Sequence, residues 1–499
     1  MNVNAFHNLK KFTVTALLVT ALLISGCGKS EEPAPTEPGH STSPQAQTTE
    51  PQPGLTPAAT PSPDLPDPGI PGFFFPESEL TLNNWVFSGN NEDIFKHAWG
   101  IWTALTLESG KSINGEPLRV FETWKTPAEI KQEMAGQKAV EVHKRRLKLM
   151  IPHQFQNKEV RATEAVKEDT YGPDVKILVS VAYNPAAAHH AALNKLFWAS
   201  TLKTFLKDGY IEIPNFPPSA ITIKPVFKVI KKSSLKNGLY SFPVWTGPPP
   251  KLQAYDEPDW PDVVFVDTNN GGKGNGSTAR KDSPPTPETT YNLTDFIYNT
   301  ITAEEVGYLK SELGLSDVNP GDYAILVAMH VGSREMKRWT WQTFWWSANP
   351  TAPFSPSSTT ISSSQPAQLK GAPAHYAMAA AYHMLTPAQP LTGGQDKGTP
   401  LFAYNPYLEA GFGPKVFQVK RQIETPDGPV TTEFGIQTNC MSCHGLSQFI
   451  PKPGYYDIKG SRQTPYAADF YLDLDDPIFK GNLQVDFAWS IIGFMDLDK

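Results

Sequence analysis

Cys440 and Cys443 stand three residues apart, His444 follows directly, and the 499-residue chain holds only one other cysteine, Cys27. That spacing constrains the fold more than any other feature. No disulfide framework exists beyond the pair itself, so a body of several hundred residues has to be held by packing or by a bound group. The stretch reads QTNCMSCHGL, residues 437–446. Thr438 or Asn439 can cap a short helix there. On a helix, residues i and i+3 share one face, so both thiols point the same way.

Cys-x-x-Cys-His is the pattern of covalent haem attachment. Two thiols on one helix face can bond to the two vinyl groups along one edge of a porphyrin. The next histidine can then swing under the ring and bind iron. Gly445 lets the backbone lie close to such a ring. Two rival chemistries use related patterns. A redox Cys-x-x-Cys needs no histidine and normally follows a βαβ pattern. A zinc site needs two more ligands at matching spacing, and the chain has no second cysteine pair.

The N-terminus belongs to another function. Lys10 and Lys11 precede an apolar run of 13 residues, 12–24, too short to span a bilayer comfortably as a mature helix. Residues 24–27, ISGC, resemble the lipobox of bacterial lipoproteins. That resemblance implies a signal peptide over 1–26 and lipidation of Cys27, whose acyl chains would hold the protein on a membrane of the bacterial cell envelope, facing the periplasm. Which of the two envelope membranes it is stays open. Residues 31–72 hold 12 prolines, six acidic residues, and no Phe, Trp, Tyr, Lys or Arg. Such a segment buries too little apolar surface to offset its ordering entropy. Residues 27–72 therefore read as an extended, disordered tether, and the first aromatics, Phe73 to Phe75, mark where folding can begin.

Charge excludes one partner class. Residues 1–30 contribute +3 and 31–72 contribute −6, so residues 73–499 carry −4 of the total −7. A near-neutral body without a basic stripe is not built for nucleic acid.

Helices are legible at 90–106, at 126–136 (Thr126 and Glu129 forming a capping box), at 185–209 and at 374–385. Strands are expected at 176–183, 220–230, 262–268, 323–332 and 338–346. The order is too irregular for a doubly wound sheet, so the fold class is α+β: a large mixed helix and strand region, 73–430, with a C-terminal haem-binding segment, 431–499, packed on it. Two polar Gly/Ser/Pro-rich stretches, 268–290 and 349–368, read as surface insertions, disordered or acting as a lid. The glycines of GGKGNG, 271–276, lie in the first and are weak evidence for a phosphate site.

NCMSCHG in an exported lipoprotein resembles a c-type cytochrome. The resemblance implies a cytochrome c-like segment with one haem c bound covalently to Cys440 and Cys443, His444 as the proximal iron ligand, and electron transfer to a periplasmic redox partner. The run LVAMHVGSREMKRWTWQTFWW, with the late NCMSCH, also resembles a group of large bacterial mono-haem proteins that carries no known activity. The chain departs from the small cytochromes in two ways. Only 55 residues follow His444, and Met495 is the one methionine among them, too near the end for a usual methionine loop. The distal ligand is therefore open. His330, in an apolar strand before the tryptophan-rich run, is the first candidate. Met495 is the alternative, followed by His375 or His383. A filled sixth position implies an electron carrier; an open one implies a peroxidase-like haem enzyme or a redox or gas sensor.

Overall fold

The computed structural model describes residues 64–137, 146–152, 177–249, 255–387, 393–394, 398–411, 421–425, 428–432, 438–453 and 471–497. Cys27, the lipobox and the tether up to residue 63 lie outside the described residues. Pro61–Lys499 forms one compact unit.

Helix α1 (Glu79–Ser88) is capped by Ser78, whose hydroxyl accepts from the Thr81 N–H. Helix α2 (Asn91–Thr106) starts at Asn90 with Glu92 and Asp93 in its first turn and buries Trp99 and Trp102. A hairpin of β1 (Glu108–Ile113) and β2 (Glu116–Arg119) follows. Helix α3 (Pro127–Met134) carries the expected Thr126–Glu129 capping box.

The core is a seven-stranded antiparallel sheet. It receives β3 (Ile177–Val179), β4 (Ala182–Tyr183) and β5 (Ile221–Ile230). Next, β6 (Leu239–Pro243), β7 (Asp262–Asp267), β8 (Ala279–Arg280) and β9 (Thr290–Asn292) make a second sheet. The chain then returns to the first with β10 (Tyr298–Thr300), β11 (Tyr323–Ser333), β12 (Thr340–Trp346) and β13 (Tyr376–Ala381). The order along the core sheet is β13-β12-β11-β5-β3, with β10 on β11 and β4 on β5. The mixture of helices and antiparallel sheets agrees with the α+β expectation at that level.

Strand register sorts the side chains onto two faces. Ala328, His330 and Gly332 of β11 stand opposite Trp345, Thr343 and Trp341 of β12. They also stand opposite Val226, Lys224 and Thr222 of β5. These residues share one face. The other face carries Phe344, which stacks on Trp102 of α2 at 4.3 Å, and Trp346, which stacks on Phe296 at 4.3 Å. Every residue of β12 is buried, because both faces are covered.

Five expectations change. Residues 376–381 form β13, not a helix: alanine favours helix locally, but β12 pairs with this stretch along six residues and all six are buried. The predicted helix over 185–209 is two helices, α4 (Pro185–Leu193) and α5 (Ala199–Lys207). Lys195 turns the chain with a positive φ of 51°, which sends Leu196 and Phe197 into the core. Phe197 O then accepts from Asp496 N, and Asp496 O from Ala199 N.

The stretch 268–290 keeps to the surface, as expected, but its glycines are tied down rather than free. Gly272 N donates to Asn292 Oδ1 and Gly276 N to the Tyr291 hydroxyl. A Cβ at Gly272 would meet Thr290 O at 2.6 Å, and one at Gly274 would meet the Tyr291 ring at 2.4 Å, so these glycines serve close approach to β9. Helix α6 (Ala303–Ser311) lies beyond. Within 349–368, α7 (Thr359–Ser362) offers the Ile361 carbonyl to Trp99 Nε1 at 2.8 Å. Packing also begins ahead of Phe73: Leu65 is buried in the core, and Asp64 Oδ1 accepts from Ala186 N. Among the described residues no helix is long and apolar enough to cross a membrane.

Candidate functional site

The Cys-x-x-Cys-His motif forms helix α9 (Cys440–Gly445). Asn439 caps it: its Oδ1 accepts from Met441 N and Ser442 N, and its Nδ2 donates to Leu401 O and His383 O. Thr438 does not cap. The helix is tied to the core sheet through a neighbouring segment. Ala403 pairs with it on both sides, Ala403 N to Thr438 O and Cys440 N to Ala403 O. Two residues on, Asn405 Nδ2 donates to Thr343 Oγ1 and Phe344 O on β12. The alternating alanines Ala377, Ala379 and Ala381 lie on this same sheet face.

Cys440, Cys443 and His444 are half-buried and open on one cleft. Its interior amounts to about 190 Å³. Its walls are largely apolar: Val179, Val181, Ile223, Trp341, Phe487 and Phe494. Beyond the motif itself, Lys224, His330, Glu409 and Tyr404 supply the charged and titratable groups. The cleft thus lies over the sheet face that carries Lys224, His330 and Trp341, whose shared side follows from strand register.

His444 is held on two sides. Its ring stacks on Trp341, centroids 3.9 Å apart. Its Nδ1 lies 2.8 Å from Phe487 O. A carbonyl only accepts, so Nδ1 carries the proton, and in the neutral ring Nε2 keeps the lone pair. Phe487 sits in a tight turn with positive φ at both Asp486 (44°) and Phe487 (63°), a conformation that non-glycine residues rarely adopt. Asp486 is anchored there: its carboxylate accepts from Arg334 Nε, Trp339 Nε1 and Phe216 N. Helix α10 (Trp489–Phe494) begins just after, and Trp489 Nε1 donates to Cys443 O.

Electrostatics keep the three motif residues uncharged. Burial pushes the His444 pKa down to about 3, with His330 and Lys224 acting in the same sense against the Phe487 carbonyl. Burial, then the Glu409 charge, push the Cys443 thiol up to about 12 and Cys440 well above its ordinary value. Both thiols are free. A redox Cys-x-x-Cys works through a thiol of lowered pKa, the opposite of this environment. Among the described residues no group of three or more His, Cys, Asp and Glu side chains converges on a metal ion, which removes the geometric basis of a zinc site there.

The candidate distal residues separate. His330 lines the cleft on β11, and its Nε2 lies 3.0 Å from Glu409 Oε1. Met495 follows α10 and packs against the core, outside the cleft lining. His375 faces Asp295 at 3.8 Å and lies 6.3 Å from Trp346 in a stacked pair, away from the cleft. His383 lies behind α9 in a small cavity with Met336, Met384 and Met441, and burial pushes its pKa down to about 4. Glu409 and Phe487 were not singled out in the sequence. They lie far from His330 and His444 along the chain, and only a carboxylate closing the short helix α8 (Pro406–Glu409) or a strained turn marks them.

The donor set fits a haem: two uncharged thiols on one helix face, an imidazole with Nε2 free to ligate, and apolar walls around them. Comparison of the chain with protein-family models, curated proteins and solved structures returned no match.

Proposed function

We propose that the chain is a membrane-tethered c-type cytochrome of the bacterial cell envelope, with one haem c joined to Cys440 and Cys443, that passes electrons to a periplasmic redox partner. The observation that carries this is the His444 arrangement, with Nδ1 committed to the Phe487 carbonyl beside the two cysteines at the cleft. Bound there, the haem iron supplies a one-electron couple whose potential depends on its ligands and burial. The chain's own residues do the rest. Phe487 O and Trp341 fix the imidazole plane and tautomer. Asn439 and Ala403 fix the turn that sets the two thiols on one face. The aromatic and aliphatic walls would set an apolar surround for the group. The lipid on Cys27 would hold this body near the membrane.

A second reading, a peroxidase-like haem enzyme or a redox or gas sensor, is favoured by one observation: Met495, His375 and His383 all lie outside the cleft lining, so of these candidates His330 alone stands between a filled and an open sixth position. A six-coordinate, low-spin spectrum in both oxidation states supports the carrier. High-spin ferric iron or rapid CO binding on reduction supports the second reading. The haem assignment is tested by Cys440→Ser with Cys443→Ser. The wild type is expected to give a haem-stained band on a denaturing gel and the double variant none; a stained band that survives the substitution contradicts it.

A further inference from the structure

His330 and Glu409 form a clamp on the cleft wall. The β11–β12 and β11–β5 registers set His330 level with Thr343 and Lys224 on the cleft face. Glu409 closes α8, a short turn begun by Asn405. Its carboxylate is held at both oxygens. Oε2 accepts from Asn405 N at 2.6 Å, and Oε1 lies 3.0 Å from His330 Nε2. Asn405 is itself fully buried and bonded to β12, so this acceptor is rigidly mounted on the sheet that carries His330. The two side chains are each 16% exposed, enough shelter for a charge-assisted hydrogen bond to hold one geometry.

An ionised carboxylate can only accept, so His330 Nε2 carries a proton whatever the charge of the ring. In the neutral ring the lone pair then sits on Nδ1. The arrangement mirrors that of His444, where a backbone acceptor claims Nδ1 and leaves Nε2. One cleft therefore holds two imidazoles, each locked by an acceptor into one tautomer, and the two locks are opposite.

We propose that Glu409 is a positioning residue that holds His330 in its Nε2–H tautomer, so that Nδ1 is the nitrogen with which His330 would ligate the iron of a haem held at Cys440, Cys443 and His444. The inference rests on the haem reading above. Its chemistry is the outer-shell carboxylate that orients a metal-ligating histidine and raises its basicity. The exact residue matters, because glutamine in place of Glu409 can turn its amide and donate to Nε2, which releases the other tautomer.

Two measurements keep the inference apart from the haem reading. The first uses the chain without haem, with ¹⁵N-labelled histidine observed by NMR. His330 is expected as a single Nε2–H tautomer, with Glu409→Gln giving both tautomers. A His330 signal in the Nδ1–H form, or one unchanged in Glu409→Gln, overturns the positioning role. The second uses the haem-loaded protein. His330→Ala is expected to convert low-spin ferric iron to high-spin while the haem-stained band persists. Glu409→Gln is expected to keep covalent haem and raise the reduction potential, since loss of the anionic partner weakens the histidine's support of ferric iron. Unchanged low-spin iron in His330→Ala overturns the ligand role and leaves the haem reading intact. Absence of covalent haem in the wild type overturns both.

Discussion

The imidazole of His444 stacks on Trp341 with 3.9 Å between ring centroids and 30° between planes. Trp341 in turn lies against Gly332 on the next strand, where a Cβ would stand 2.7 Å from the indole. A residue without a side chain on β11 thus makes room for the ring that seats the histidine. Gly332→Ala is expected to destabilise the protein by about 1–3 kcal/mol through overpacking. Trp341→Ala is expected to cost about 3–5 kcal/mol, since it removes a large buried ring. Denaturant titration measures both. An unchanged midpoint for either variant would contradict this packing.

Lys228 and Glu257 form a buried ion pair, with side chains 3% and 4% exposed. The Glu257 Oε2 atom is buried without a partner, so the carboxylate depends on this lysine. Lys228→Met is expected to cost about 3–5 kcal/mol by leaving the carboxylate uncompensated, and Lys228→Met with Glu257→Leu is expected to recover most of that loss. Urea unfolding of the three proteins checks this. A double variant no more stable than the single one contradicts it.

Asp256 gives a pH signature. Burial, with the neighbouring Asp259 charge, lifts its pKa from 3.8 to about 6. A carboxyl with a raised folded pKa binds its proton more tightly in the native state. Its contribution is complete below the unfolded pKa and is lost as pH rises through about 6. Asp256→Asn is therefore expected to stabilise the fold by roughly 1–2 kcal/mol at pH 7, with the gain shrinking toward pH 4. Thermal melts across this range read the difference. An equal gain at both ends contradicts the assignment.

Cys27→Ser is expected to move the protein from the membrane fraction to the soluble fraction, with haem content and melting temperature unchanged. Retention on membranes would place the anchor elsewhere. This separates tethering from the chemistry at Cys440 and Cys443.

What the sequence made legible is what local spacing encodes. The i, i+3 thiols and their Asn439 cap are contained within a few residues, and α9 forms where the motif predicts it. His330 stood out as a polar residue in an apolar strand, and it does line the cleft. The partners that give these residues their chemistry were not legible, because they come from afar. Phe487 O reaches His444 from 43 residues away and Glu409 reaches His330 from 79. The alanines of β13 read as helix because propensity is local, while β12, which holds them extended, is a partner that no short window contains. Likewise the glycines at 271–276 read as freedom, whereas Gly272 and Gly274 serve close contact with Thr290 and Tyr291.

Peptide mass spectrometry of protein purified from membranes reads the covalent occupation of Cys440 and Cys443 itself. The peptide containing Cys440 and Cys443 is expected to carry the added mass of one haem, with neither thiol open to an alkylating reagent after denaturation. Two unmodified, fully alkylated cysteines in that peptide, from cells that attach haem to other proteins, would contradict it.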